Sequence, residues 1–234
     1  MAQQDTLEDS SSLESKGTHV SLIVSSQKGV WLYWILGTGL AATGGGTAFQ
    51  ALRQSRVSGA WIAGLAVLGL VVGLAQSFVL ERAVSKSGGR ARITFQWTLA
   101  CSTAWMAGGV AGSVLPIVIW LILAFTANVD YTWIYHSGYY VIWVSFIASG
   151  SLAVSIIQQR VLQTRFNSVV KWRWPSIIGW FAGWTVGLVA AHIVPGSEIA
   201  KGVAGGAIGG AVLGTLTGRA LVHLLAGSRT STEP

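Results

Sequence analysis

The chain has 234 residues, of which 52% are hydrophobic and only 10% are charged, against about 25% charged in an ordinary soluble domain. Its net charge is +7, but the basic residues concentrate in short turns beside apolar segments, where membrane orientation and anionic lipid headgroups account for them. This composition excludes an ordinary soluble core and argues against nucleic-acid binding, so the sequence predicts a multi-pass membrane protein.

Six apolar segments follow one another along the chain, and each is long enough to cross a membrane as a helix. We expect an all-α, polytopic transmembrane helix bundle of about six helices over residues 29–225. A disordered acidic N-terminal tail at 1–28 and a disordered C-terminal tail at 226–234 are predicted to flank it. The segments cover residues 29–52, 58–80, 94–127, 139–159, 175–194 and 199–225.

The third segment is longer than a simple crossing requires. As a straight helix it would measure roughly 51 Å, against a hydrocarbon core of about 30 Å. Gly108, Gly109, Gly112 and Pro116 lie near its middle, where they would favour a kink or a break into two half-helices. A single long, tilted helix is the alternative, and we favour it.

Positive charge predicts the orientation of the bundle. The linkers after the second and fourth segments are strongly basic, whereas those after the third and fifth are close to neutral. The positive-inside rule therefore places the basic linkers and both termini in the cytoplasm. Arg53 and Arg56 then fall on the outer side, so a re-entrant or shifted first pair of segments stays open.

Tryptophan is frequent, with 12 residues. Those at predicted segment ends are expected in the headgroup region, which amphipathic indole rings prefer: Trp31, Trp34, Trp133, Trp172 and Trp174. Seven others lie deeper, where we expect them to pack against glycine or lipid, with contact to a pigment or a quinone as the alternative: Trp61, Trp97, Trp105, Trp120, Trp143, Trp180 and Trp184. His192 is expected to make a structural hydrogen bond, with a ligand or pigment role as the alternative. His192, Trp180 and Trp184 are the candidate ligand contacts.

Glycine recurs at every fourth position of the last segment, although glycine disfavours a helix by about 1 kcal/mol relative to alanine. On a helix this spacing forms one shallow groove that drifts only about 40° per glycine. Close approach of another helix must offset the lost propensity, so we predict glycine-zipper packing within the chain, with self-association or a pore as the alternative. The stripe is Gly202, Gly206, Gly210, Gly214 and Gly218, and the fifth segment repeats the spacing at Gly179, Gly183 and Gly187.

Glutamines near helix ends form the second group of candidate residues. Gln76, Gln158 and Gln159 are predicted to hydrogen-bond between helices, with a polar substrate site as the alternative. No carboxylate is predicted within a membrane core, and no protease, phosphate-loop or metal motif is evident in the sequence. We therefore expect no enzymatic activity, no metal and no cofactor.

Two parts of the chain echo each other, which points to a duplicated helical hairpin. The matched residues are Gln76 with Gln158, Leu80 with Leu162 and Trp97 with Trp180, and a shorter echo contains Gln50, Arg53 and Trp61. This Gly-Gln-Leu-Arg pattern resembles a group of uncharacterised multi-pass bacterial membrane proteins over most of residues 40–225. The resemblance implies no assigned chemistry. The resemblance implies a bacterial cytoplasmic membrane as the location. Because the group occurs chiefly in photosynthetic bacteria, a thylakoid-type membrane is the alternative.

The function expected from these features is that of an integral membrane scaffold or an accessory subunit of a larger membrane complex. Its neighbours would be the lipid bilayer and either membrane protein partners or a second copy of the chain. A channel or passive small-solute transporter is one alternative, and a lipid- or pigment-binding membrane protein is the other.

Overall fold

A computed structural model of the chain describes residues 27–55, 57, 60–84, 90–126, 131–164, 166 and 169–230. The predicted all-α bundle is confirmed: the described residues form six helices and one short 3₁₀ turn at Val170–Trp172. The helices are α1 (Gln27–Gln54), α2 (Ala60–Val84), α3 (Arg90–Thr126), α4 (Tyr131–Gln163), α5 (Arg173–Ile193) and α6 (Glu198–Thr230). Most of the predicted N-terminal tail, and residues 231–234 of the C-terminal tail, lie outside the described residues.

Five of these helices, α2 to α6, are long and apolar enough to cross a membrane, so the chain has the character of a multi-pass integral membrane protein. Among the described helices α1 alone does not qualify, because glycine and threonine interrupt its apolar residues. The hydroxyl groups of Thr43 and Thr47 donate to carbonyl oxygens one turn earlier, each at 2.8 Å. Protein covers much of α1, since it packs between α2 and α6.

The six helices form a closed ring in chain order. Each helix packs against the next one, and α6 packs against α1. Neighbouring helices run antiparallel, so α1, α3 and α5 begin, and α2, α4 and α6 end, at one end of the bundle, which we call the terminal end. α1 and α2 run side by side as helices of 28 and 25 residues.

The glycine stripe of α6 faces α1. A Cβ atom added to Gly210 would lie 2.6 Å from the Cβ of Ala42, and one added to Gly214 would lie 2.9 Å from the Cα of Ile35. Only glycine lets the two backbones approach this closely. At Gly202, nearer the other end of the contact, the added atom would lie 2.9 Å from the carbonyl oxygen of Gly46.

A second glycine face of α6 packs against the glycines of α5. Added Cβ atoms at Gly183 and Gly187 would each lie 2.8 Å from a carbonyl oxygen of α6, those of Gly209 and Gly205 respectively. One added to Gly179 would lie 2.9 Å from the side chain of Thr217. The regularly spaced glycines of α5 and α6 are therefore in contact with helices of the same chain.

α3 runs unbroken through Pro116, as one long helix. The glycines near its middle face α4, and a Cβ atom added to Gly108 would lie 2.6 Å from the Cβ of Ala153. These glycines thus permit close packing instead of breaking the helix. α3 is also the most exposed of the apolar helices, because only 11% of its most apolar stretch is buried, against 44% for α2.

Two helix boundaries differ from the predicted ones by about five residues or more, whereas the others agree more closely. α4 begins at Tyr131 and not at 139, because the polar aromatic residues before 139 continue the helix although they interrupt the apolar run. α6 extends to Thr230, beyond the predicted end at 225, since no proline follows until Pro234. Residues 226–230 therefore belong to a helix and not to the tail.

Candidate functional site

Three tryptophans fill the ring near its terminal end. Trp34, Trp97 and Trp172 are between 0% and 1% exposed, and their ring centroids lie 5.8–6.3 Å apart in edge-to-face arrangements. The prediction that Trp34 and Trp172 lie among lipid headgroups is therefore wrong, because both indole groups point into the interior of the helix bundle. Trp31 and Trp174 are exposed. The side chain of Trp133 lies outside the described residues.

Buried hydrogen bonds connect this tryptophan layer to four helices. The indole N–H of Trp34 donates to Thr217 Oγ1 at 2.8 Å, and that of Trp97 donates to Gln76 Oε1 at 3.3 Å. Gln76 Nε2 in turn donates to Thr38 Oγ1 at 3.3 Å. Gln76 thus bridges α1 and α3 from its position on α2.

Thr217→Val is expected to lower the free energy of unfolding by roughly 1–3 kcal/mol, because the buried N–H of Trp34 loses its acceptor while the side-chain shape is kept. Thr215→Val is the matched control, since Thr215 is exposed on the same helix. Unfolding by SDS titration in mixed micelles measures both changes. Equal effects of the two substitutions would show that the Trp34 hydrogen bond contributes nothing specific.

The other two predicted glutamines also bridge helices. Gln158 Oε1 accepts a hydrogen bond from Ser176 Oγ at 2.9 Å, and its Nε2 lies 3.2 Å from Cys101 Sγ. Gln159 Oε1 accepts one from Arg173 Nε at 2.6 Å. These glutamines connect α4 to α3 and α5, and they lie outside the two cavities described next.

The larger cavity, of about 450 Å³, lies between the end of α1 and the α3–α4 hairpin. Its wall is apolar and partly aromatic, with Phe49, Trp143 and Phe146 among the lining side chains. Ser113 and Arg53 are the polar exceptions. Its volume and lining are typical of a pocket for a small, apolar molecule.

A smaller cavity, of about 80 Å³, lies between α1, α2, α5 and α6. The glycine faces of α5 and α6 form much of its wall, together with Gln50, Trp180 and Trp184. Phe49 lines both cavities, and its ring lies edge-on to that of Trp184 at 6.4 Å. Of the predicted ligand contacts, the two tryptophans line this cavity, whereas His192 is exposed and lies outside both cavities.

Two buried polar atoms at this smaller cavity have no hydrogen-bond partner among the described residues. They are Gln50 Oε1 and the indole nitrogen of Trp180. Gln50 is 8% exposed and Trp180 is 2% exposed. Buried polar groups are normally paired. Four other buried polar atoms also have no partner among the described residues but line neither cavity, and they are Thr98 Oγ1, Trp105 Nε1, Ser151 Oγ and Trp172 Nε1. Gln50 and Trp180 differ from them because they line a cavity.

An ion-pair cluster joins the ends of α1 and α6 beside the cavities. Glu198 accepts hydrogen bonds from Arg53 at 3.0 Å and from Lys201 at 2.7 Å. Arg53 lines the larger cavity and Lys201 the smaller one. Because these side chains are partly exposed, the ion pairs stabilise the fold little, and with two cations and one carboxylate the cluster keeps a net positive charge.

No family model, curated protein or solved structure matches this chain. Among the described residues, no group of three histidine, cysteine or carboxylate side chains could hold a metal ion. Sequence analysis identified Gln50 because it belongs to the shorter of the repeated segments. Phe49, Trp143 and Phe146 carry no sequence signal that separates them from other buried aromatic residues. What the chain does is therefore inferred from its geometry.

Proposed function

We propose that the protein binds an apolar small molecule within the membrane, in the larger cavity between α1 and the α3–α4 hairpin. The observation that supports this function is a space of about 450 Å³ with an apolar and aromatic wall. Cavities that bind small molecules have volumes of roughly 300–1,000 Å³ and few polar groups. The proposed function is binding without catalysis.

A channel is less well supported, because the tryptophan layer fills the ring near its terminal end. Trp34, Trp97 and Trp172 are all buried there and in mutual contact. A path for solutes through the ring of helices would have to displace these indole groups and the hydrogen bonds of Trp34 and Trp97. None of these three tryptophans lines either cavity, so the described space does not continue through the layer, which favours binding over passage.

A scaffold or accessory subunit is the second candidate, and the exposed face of α3 favours it. Leu115, Ile122 and Phe125 are 62%, 55% and 82% exposed on this helix, which leaves room for a partner helix or for lipid. The glycine stripe of α6 no longer favours a partner, because α1 occupies it within the same chain.

We also propose that the terminal end faces the bacterial cytoplasm. Arg82, Arg160, Lys171 and Arg173 lie at or near the helix ends there, and the positive-inside rule favours cytoplasmic placement of such residues. The cavities and the Glu198 cluster would then lie toward the outer side of the membrane.

Ser113→Phe tests the binding function by filling the larger cavity. The protein is purified from its native membrane in mild detergent, and the organic-soluble molecules that accompany it are extracted and measured by liquid chromatography with mass spectrometry. We expect an apolar compound in a constant ratio to the wild-type protein and at least a tenfold lower ratio in Ser113→Phe, because the added ring occupies its place. Val114→Phe is the matched control, since Val114 is 50% exposed on the same helix.

A compound retained equally by both variants would contradict binding in this cavity, as would wild-type protein that carries no such compound. The same purification distinguishes the second candidate, because a scaffold would carry a protein subunit in constant ratio, whatever the state of the cavity.

A further inference from the structure

We infer that the smaller cavity recognises a neutral hydroxyl group on the apolar ligand, through Gln50 and Trp180. This inference rests on the proposed function, because it assigns the polar group of the molecule whose apolar part lies in the larger cavity. The ligand class is then a membrane-soluble alcohol or phenol with a long or ring-bearing apolar part.

The first support is the pair of unsatisfied polar atoms. Gln50 Oε1 needs a donor and Trp180 Nε1 needs an acceptor, and both residues line the same cavity. Each residue is more than nine-tenths buried, so bulk water does not satisfy it, and leaving such a group unpaired is unfavourable. A hydroxyl group both donates and accepts, and it can pair with the amide of Gln50 through either its oxygen or its nitrogen.

The second support is the contrast between the two echoing hairpins. In the first hairpin Trp97 donates its N–H to Gln76. In the second, the matching Trp180 has no such partner among the described residues, because the matching Gln158 is bonded to Ser176 and lies against Cys101. The matched tryptophan is therefore satisfied within the protein in one hairpin and unpaired in the other. Trp105 and Trp172 are also unpaired, but of these three unpaired tryptophans Trp180 is the one that lines a described cavity.

The unpaired atoms of the cavity wall indicate that the recognised group is neutral. Among the described residues, Lys201 is the charged residue that lines the smaller cavity, and its ammonium group donates to Glu198 at 2.7 Å. Glu198 also accepts from Arg53, so this cluster keeps a net positive charge, but the two unpaired atoms themselves, Gln50 Oε1 and Trp180 Nε1, are uncharged and suit an uncharged group.

Phe49 separates the two cavities. It lines both of them and is 6% exposed, and the next residue along α1 is Gln50. A ligand that turns the Phe49 side chain aside would place its apolar part against Trp143 and Phe146 while its hydroxyl group reaches Gln50 and Trp180.

The test compares dodecanol with tridecane, each carrying a photoactivatable diazirine at the far end of its chain. The purified protein is reconstituted in phosphatidylcholine vesicles. The amount of probe that gives half-maximal labelling is expressed as its mole fraction in the lipid. We expect wild-type protein to favour the alcohol about tenfold, which corresponds to a hydrogen bond to a buried partner. Gln50→Met and Trp180→Phe should each lower that preference severalfold without changing the labelling by tridecane.

Trp184→Phe is the matched control, because Trp184 lines the same cavity but its N–H is not among the buried unpaired groups. It should keep the tenfold preference. If the Trp180→Phe protein does not fold, the loss of alcohol preference in Gln50→Met alone tests the hydroxyl assignment. Equal labelling by both probes in wild-type protein would overturn the hydroxyl assignment and leave the proposed function standing. If neither probe labels residues near the larger cavity, both the hydroxyl assignment and the proposed function are overturned.

Discussion

Gly206→Ala is expected to lower the free energy of unfolding by about 3 kcal/mol, the upper end of the usual penalty for overpacking. An added Cβ atom would meet the carbonyl oxygen of Ala42 and would lie 2.7 Å from the Cα of Thr43. Both are backbone atoms of α1, so neither can turn away, and the two helices must separate. The gain in helix propensity of about 1 kcal/mol is too small to compensate.

Gly44→Ala is the matched control for this prediction. Gly44 lies on α1, one helix turn or less from the same contact, but an added Cβ atom there meets nothing within 4 Å. The substitution should be neutral or should stabilise the protein by up to about 1 kcal/mol. SDS titration of the two variants and the wild type gives the comparison. A Gly206→Ala protein as stable as Gly44→Ala would mean that α1 and α6 do not approach as closely as described.

Trp172→Ala is expected to lower the free energy of unfolding by roughly 3–5 kcal/mol, as truncation of a buried large aromatic side chain usually does. The ring is 1% exposed and contacts Trp34 and Trp97 at centroid distances of 6.3 and 5.8 Å. Its loss leaves a void in the layer that closes the ring of helices, and the surrounding helices can collapse into that void only partly.

Trp174→Ala provides the control, because Trp174 is 69% exposed and lies only two residues further along the chain. We expect a change within about 0.5 kcal/mol for this exposed position. Comparable losses from the two variants would argue that tryptophan supports the fold through lipid contacts and not through the buried layer.

The helices and the close packing of α6 follow from patterns that a sequence contains. Apolar length predicts a helix that crosses a membrane, and regular glycine spacing predicts a face that another backbone can approach. The sequence could not name that backbone, because small residues on several segments would fit equally well. α6 packs against α1 because the ring of helices closes between them, and that closure depends on the packing of all six helices.

The depth of individual tryptophans was less predictable. Trp172 lies in a short linker between two apolar segments, and position along the chain favours the headgroup region for it. The 3₁₀ turn at Val170–Trp172 instead directs the ring inward, and the sequence contains no signal for that turn. The cavities were beyond sequence analysis for a related reason, since an empty volume depends on how the helices diverge and not on any one residue.

Native mass spectrometry of the wild-type protein, released from membranes in mild detergent, tests the central claim most directly. Binding of an apolar small molecule predicts a main species heavier than the polypeptide by one constant mass, which collisional activation removes as a single neutral compound. A main species at the mass of the bare chain, obtained under conditions that preserve its helices, would contradict the claim.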